Sequence, residues 1–432
     1  MAGGDERSVT GAAAGQGTPM RLGRSPARQH TLREHNLVLV LQHIATGGAL
    51  SRASVSKRTG LTKATVSSLV DTLVQAGLVT ELGPEARGAV GRPASALTLN
   101  RAGLVGLGLE VNVDYIAVCV TDLAGGVRYL RTRLGDNRRQ SPGRVLGRAV
   151  RIARTAVDAV EADGYTVAGL GVAVPGLVEA EQGLLHLAPN LGWTDVLVEE
   201  FFASRLAPPL PVTVDNEANL AALGELWFGG HDGLTDFVHV SGEIGVGAGV
   251  IVGRELFRGV RGFAGEVGHV AVDRDGPRCR CGARGCLELV AGQEAILRAA
   301  GLTGEAGTSM GQPGGSVAEL LARARGGEPR TLQAIEAAGR GLGVAVAALV
   351  NLLDPSTVVL GGLYTLLEPW LRAPFSEELS ERVVAQRWSP VRVLASRLGP
   401  DAAVRGAAGT VVKEILSHPS AVLHGAAHPE GG

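Results

Sequence analysis

Apolar positions at helical spacing begin at Leu37 and continue through Val38, Val40, Leu41 and Ile44, then stop at Gly47-Gly48. Ser51 follows as a helix cap, ahead of a short helix through Lys57 that Thr59-Gly60 closes. Thr62 caps the next helix, whose inward face is Val66, Leu69, Val70 and Leu73 and whose end is Gly77. Helix, short helix, tight turn and helix in this order predict a helix-turn-helix. Leu78-Val79 and the alternating Ala96-Leu97-Thr98-Leu99 predict two strands around GPEARGAVGRP, a basic glycine-rich wing with Arg87 and Arg92. Lys63, Thr65, Ser67 and Ser68 lie on the polar face at the start of the third helix. A cation and small hydroxyls there suit phosphates and base edges of a DNA major groove, and the wing arginines suit a neighbouring groove or the backbone.

The pattern changes after Asn100. GLGLEVNVDYIAVCVTDLAGGVRYL reads as three strands with short turns, and Arg144 to Ala162 as an amphipathic helix. GLGVAVPGLV is a buried strand entering a turn at Pro175-Gly176, and PVTVDNEANLAALGEL a strand running into a helix at Asp215 to Glu217. DFVHVSGEIGVGAGVIV reads as a hairpin. Helices follow at about 292–300, 316–325 and 330–353, then the strand TVVLGG and a closing helix at about 401–416. Repeated β-α units in two halves fit an α/β protein with a cleft between two lobes. The expected organisation is a disordered tail over 1–30, a winged helix-turn-helix over 31–100, the α/β unit over 101–417 and a tail over 418–432.

Composition narrows the partners. The formal net charge is −1 across 432 residues, so DNA binding must come from a local patch and not from a global basic field. The start of the chain lacks the apolar core of a signal peptide, and the apolar run Gly343–Leu353 is too short to span a bilayer. A cytoplasmic protein with no membrane partner is expected. Of the four cysteines, Cys119 reads as a buried strand residue.

The other three cluster in GEVGHVAVDRDGPRCRCGARGCLE, residues 265–288. Cys279, Cys281 and Cys286, with His269 upstream, have the number and softness of ligands for one tetrahedral Zn²⁺. Gly276, Gly282 and Gly285 suit a tight knuckle, and Glu266 and Glu288 bracket it.

The winged unit, PGLVEAEQGLLHLAPNLGW (175–193), DNEANLAALGE (215–225) and the Cys-x-Cys-x4-Cys knuckle together resemble the ROK family of sugar kinases and sugar-responsive repressors. The resemblance covers about residues 30–416 and implies an actin-like, ribonuclease H-like two-lobed fold. The winged unit places the chain with the repressor branch, similar to xylose and N-acetylglucosamine repressors. The resemblance implies zinc on His269, Cys279, Cys281 and Cys286, as a structural ion. It implies sugar contacts from Asn190, Asn216, Glu217, Glu266, His269 and Glu288. Carboxylates paired with amides can fix several hydroxyls of a sugar at once.

The family's kinases carry Asp-x-Gly-Gly-Thr in the first hairpin, where this chain has Glu110, Val111, Asn112, Val113 and Asp114. Their later Gly-Thr-Gly-x-Gly loop is here Glu243, Ile244, Gly245, Val246 and Gly247, and their catalytic Asp falls at Glu217. Lost glycines and added acids disfavour a phosphate, so no catalytic residue is expected. The expected function is a sugar-responsive regulator, a repressor of carbohydrate genes, acting as a homodimer or homotetramer on a double-stranded operator. The alternative is an ATP-dependent hexose kinase with an added DNA-binding arm.

Overall fold

The computed structural model describes residues 29–83, 95–231, 233–302 and 316–425. Its first unit is α1 (Gln29–Gly47), α2 (Arg52–Thr59), α3 (Lys63–Gln75) and an antiparallel pair, β1 (Val79–Leu82) and β2 (Ala96–Leu99). The expected caps form: Ser51 accepts from Ser54 N–H and Thr62 from Thr65 N–H. Gly60 ends α2 at φ 72°, a left-handed angle that glycine adopts without strain. Val66, Leu69, Val70 and Leu73 all face inward. Arg52 braces the unit, pairing with Asp71 at 2.7 Å and Glu81 at 2.5 Å. Arg87 and Arg92 lie outside the described residues, as do all but the last two residues of the expected N-terminal tail.

The first lobe begins with the meander β3 (Leu104–Val111), β4 (Tyr115–Asp122) and β5 (Val127–Leu134). It continues through α4 (Pro142–Ala162), β6 (Thr166–Val174), a small sheet of β7 (Leu177–Glu179), β8 (Leu184–Ala188) and β9 (Trp193–Leu197), then α5 (Val198–Ala203), β10 (Val212–Asn216) and α6 (Glu217–Phe228). The main sheet has the order β10-β6-β3-β4-β5, with β6 parallel to both β3 and β10. Cys119 is fully buried on β4.

The second lobe holds β11 (Phe237–Gly242), β12 (Val246–Val252), β13 (Glu255–Leu256), α7 (Glu288–Ala291), α8 (Gln293–Ala299), α9 (Ser316–Arg325), α10 (Pro329–Leu353), β14 (Thr357–Gly362), α11 (Leu363–Arg382) and β15 (Arg392–Ala395). Its sheet order is β13-β12-β11-β14-β15. Two such sheets across a cleft are the lobes of an actin-like fold. Among the described residues α10 alone is long and apolar enough to cross a membrane, but Ala338, Leu342, Ala345 and Val346 are buried in this lobe's core.

The chain closes with α12 (Ala402–Ser417) and α13 (Pro419–Gly425). Val411, Val412 and Ile415 of α12 join the apolar core of the winged unit, with Val422 and Leu423 of α13 packed against it. Ser420 Oγ donates to Glu34 Oε1 at 2.5 Å. Residues 419–425 are therefore helical where a tail was expected, because the winged unit supplies an apolar surface for a helix too short to stand alone.

Candidate ligand cleft and metal knuckle

All six residues singled out for sugar contact line one cleft between the lobes. Asn190, Asn216 and Glu217 come from the first-lobe side, and Glu266, His269 and Glu288 from the second. The strand-to-helix junction at β10–α6 sets the first group. Asn216 is the α6 cap, its Oδ1 accepting from Ala218 N–H at 2.8 Å and Asn219 N–H at 3.3 Å. Its Nδ2 donates to Gly176 O at 2.9 Å. The amide thus already holds the turn that presents Glu217. Asp215, one residue earlier, accepts from Asn219 Nδ2 at 3.1 Å and from Arg258 Nη2 at 2.7 Å.

The cleft is rich in carboxyl groups. Burial raises Glu217 to about 8, with the charges of Glu110 and Glu266 adding to it. Burial likewise raises Glu110 to about 7 and pushes Glu243 well above the ordinary range, the latter helped by Glu110, Asp114 and Glu217. Glu266 is raised by burial and by Glu288. A neutral carboxyl both donates and accepts, as does a sugar hydroxyl. At the β3–β4 turn Tyr115 Oη donates to Glu110 Oε1 at 2.5 Å, and Asn112 Nδ2 donates to Tyr115 Oη at 3.1 Å. Side chains and not glycine backbone occupy this turn.

The knuckle follows a short turn at Val267–His269. The ligand atoms of His269, Cys279, Cys281 and Cys286 all lie within 4.8 Å of one another. Cys279 Sγ is 3.8 Å from His269 Nδ1, and Cys281 Sγ is 3.7 Å from Cys286 Sγ. Zinc bonds of usual length give tetrahedral edges of about 3.5–3.8 Å, so these two separations match that ion and the four residues could hold a metal. At Gly285 (φ 63°) a Cβ would sit 1.6 Å from Asp273 O, so the knuckle closes only around glycine. His269 turns Nδ1 to the cysteines and Nε2 toward Glu266 Oε2, 3.9 Å away. Glu288 Oε1 is 2.8 Å from Cys279 Sγ. The knuckle and the cleft wall share these side chains.

Sequence reasoning did not single out Arg280, and it read Glu243 and Asn112 only as altered phosphate-loop positions. Glu243 and Asn112 also line the cleft. Arg280, set between two ligand cysteines, reaches across to the other lobe, its Nη1 donating to Asn190 Oδ1 at 3.2 Å. That bond leaves the Asn190 Nδ2 side beside Gly245. A cation between two ligand cysteines was the one available signal. On α3, Lys63 and Ser68 are exposed and Thr65 is half-buried. Ser67 Oγ accepts from Arg52 Nη1 at 2.8 Å, which ties it to α2.

A family model described as "ROK family" matches residues 106–414, and one described as "MarR family" matches residues 38–88. The "Xylose repressor" of Bacillus spizizenii (strain ATCC 23059 / NRRL B-14472 / W23) is 31% identical over 390 residues, spanning 90% of this chain and 98% of the relative. Among solved structures, "the ROK family transcriptional regulator, homolog of E.coli MLC protein" superposes with a TM-score of 0.75 at 26% identity, over 91% of this chain and 99% of that one. A ROK family glucokinase from Streptomyces griseus, in complex with glucose and AMPPNP, gives a TM-score of 0.60 at 28% identity, over 71% of this chain and 98% of its own.

Proposed function

The chain belongs to the ROK family, and from that premise we propose that it is a sugar-responsive DNA-binding repressor of carbohydrate genes. The observation that carries this reading is the convergence of Asn190, Asn216, Glu217, Glu266, His269 and Glu288 on one cleft, in a chain whose winged unit shares a core with α12. The similarity to a xylose repressor over nearly its whole length supports it.

In this reading a sugar enters the cleft and its hydroxyls meet the neutral and charged carboxyls there. His269, Cys279, Cys281 and Cys286 would hold a zinc ion, which would supply fixed geometry to the wall and take no part in bond making. His269, its Nδ1 turned to the cysteines, would offer Nε2 to the sugar. The recognition helix α3 enters the major groove with Lys63 on a phosphate and Thr65, Ser67 and Ser68 near base edges. Arg87 and Arg92 reach the backbone or minor groove. Two copies read a palindromic operator in the cytoplasm. Sugar shifts the balance only as far as it binds one lobe arrangement more tightly than the other.

Phosphoryl transfer is not part of the proposal. The Glu110–Tyr115–Asn112 network occupies the β3–β4 turn, and Glu243 lines the cleft, where the resemblance puts the kinases' phosphate loops; both support this reading. The family's kinases keep the alternative of a hexose kinase open to a direct test. Operator gel shifts titrated with a panel of mono- and disaccharides, run beside an ADP-release assay with the same panel, decide the question. Operator affinity that no sugar changes defeats the effector reading, and sugar-dependent ADP release defeats the non-enzyme reading.

A further inference from the structure

A second cavity lies on the first lobe between β5 and α4. Arg133 comes from β5; Arg148, Arg151 and Thr155 come from α4; Ile116, Leu134, Gly135 and Ile152 supply the rest of the wall. The geometry follows from periodicity. Residues 148, 151, 152 and 155 share one helix face. Arg133 pairs with Ile116 across the β4–β5 ladder, and cross-strand partners point to the same side of a sheet. Ile116 belongs to the core that α4 covers, so Arg133 is directed to the α4 side.

The charge balance of this cavity is unlike that around the ion-paired arginines of the chain. Arg52, Arg128, Arg138 and Arg258 each form an ion pair with a carboxylate. Among the described residues, Arg133, Arg148 and Arg151 form none, and no carboxylate lines the cavity. Arg148 Nη2 donates to Asn137 Oδ1, which leaves the rest of its five-donor fork free. Thr155 Oγ1 donates to Arg151 O at 3.0 Å, so the arginines are the donors on offer. Like charges brought together without a counter-ion repel, and a multiply charged oxyanion relieves that repulsion while accepting paired N–H bonds.

We propose that this cavity is a binding site for a phosphate group, either free phosphate or the phosphate of a small metabolite. The site is separate from the sugar cleft and does not rest on the sugar reading. It lies close behind that cleft: Asn137, which Arg148 holds, donates through Nδ2 to Asn112 O at 2.6 Å, and Asn112 lines the cleft.

The test is thermal unfolding of the full chain in sodium phosphate, in glycerol phosphate and in sodium chloride at one ionic strength. Phosphate at about tenfold excess over its Kd is expected to raise Tm by about 1–3 °C over chloride. The rise is expected to vanish in Arg133→Ala/Arg151→Ala, both exposed positions, with the circular dichroism spectrum unchanged. Arg323→Ala/Arg340→Ala makes the same change in net charge at distant ion pairs and should keep the rise. A larger rise with the ester assigns the site to a metabolite, and equal rises assign it to the phosphate group alone. A rise that survives in Arg133→Ala/Arg151→Ala, or is lost equally in the control pair, overturns the proposal. So does weakened operator binding by Arg133→Ala/Arg151→Ala with no phosphate effect in the parent, which points to DNA phosphates instead.

Discussion

Arg258 Nη2 donates to Asp215 Oδ2 at 2.7 Å, joining the loop that leads to Glu266 to the strand end that leads to Glu217. One ion pair therefore registers the two carboxyl walls of the cleft. Asp215 is nearly buried while Arg258 is two-fifths exposed, so solvent screens part of the interaction. Arg258→Ala is expected to cost about 1 kcal/mol of stability and to weaken sugar binding more than that loss implies, since the loop also carries Glu266. Urea unfolding and calorimetric titration of sugar measure the two effects separately. Unchanged sugar affinity would show that the pair is structural only.

Arg280 and Asn190 make a second link across the cleft mouth. Arg280→Ala frees the Asn190 amide to turn, with an expected loss of sugar affinity of about three- to tenfold. In an Asn190→Ala background the same change should have little effect. A double-mutant cycle on sugar affinity reads this coupling. Additive losses would mean that Arg280 does not act through Asn190.

Cys281 is the exposed cysteine of the knuckle. Cys281→Ser is expected to lower zinc content, measured by elemental analysis, and to abolish sugar binding, because His269 and Glu288 lose their anchor. Zinc retained at one equivalent in this variant, with sugar response intact, contradicts the metal assignment.

The carboxyl groups predict a pH dependence with a definite sign. Glu110 is held near 7 and Glu217 near 8, both above the ordinary 4.5 of a glutamate. The folded chain therefore keeps protons that the unfolded chain releases. Their contribution to stability is complete below about pH 4.5 and is lost as pH rises through about 7 and 8. The loss from about pH 5 to about pH 8 is a few kcal/mol for the pair, and Glu110→Gln/Glu217→Gln should flatten the slope. Chemical denaturation across that range checks it; an equal slope in the variant rules out these two acids as its source.

Lys63 is exposed at the first turn of α3. Lys63→Ala is expected to weaken binding to operator and random duplex alike and to reduce the salt slope by about one. Gel shifts at several salt concentrations test this. Loss confined to the operator would instead make Lys63 a base reader.

Much of the winged unit and of the knuckle was legible because local signals agreed there: Ser51 and Thr62 at helix starts, Gly60 and Gly77 at ends, and ligand spacing at Cys279 to Cys286. The helix Leu363–Arg382 was not legible. Pro369 and Pro374 interrupt its pattern, yet Pro374 packs where Gly339 of α10 leaves room, a tertiary fit with no local trace. Likewise the cleft residues could be grouped by type and by family pattern, but Arg280 on Asn190 and Arg52 on Ser67 join residues distant in sequence or on different helices. Periodicity carries no record of such pairs.

The helix Ala402–Ser417 also bears on how this protein can be re-engineered. Its early residues pack with Leu220 and Leu223 of α6, and its later residues complete the winged unit. The DNA-binding part is thus no cassette that ends near Asn100. A chimera joining another winged unit to this cleft would have to bring a matching surface for Val411, Val412 and Ile415, or import the partner's final helices with it. Deleting residues after Ser417 would likewise be felt at the opposite terminus, through the lost contacts of Val422 and Leu423. In a hybrid sensor, the two ends of the chain must be exchanged together.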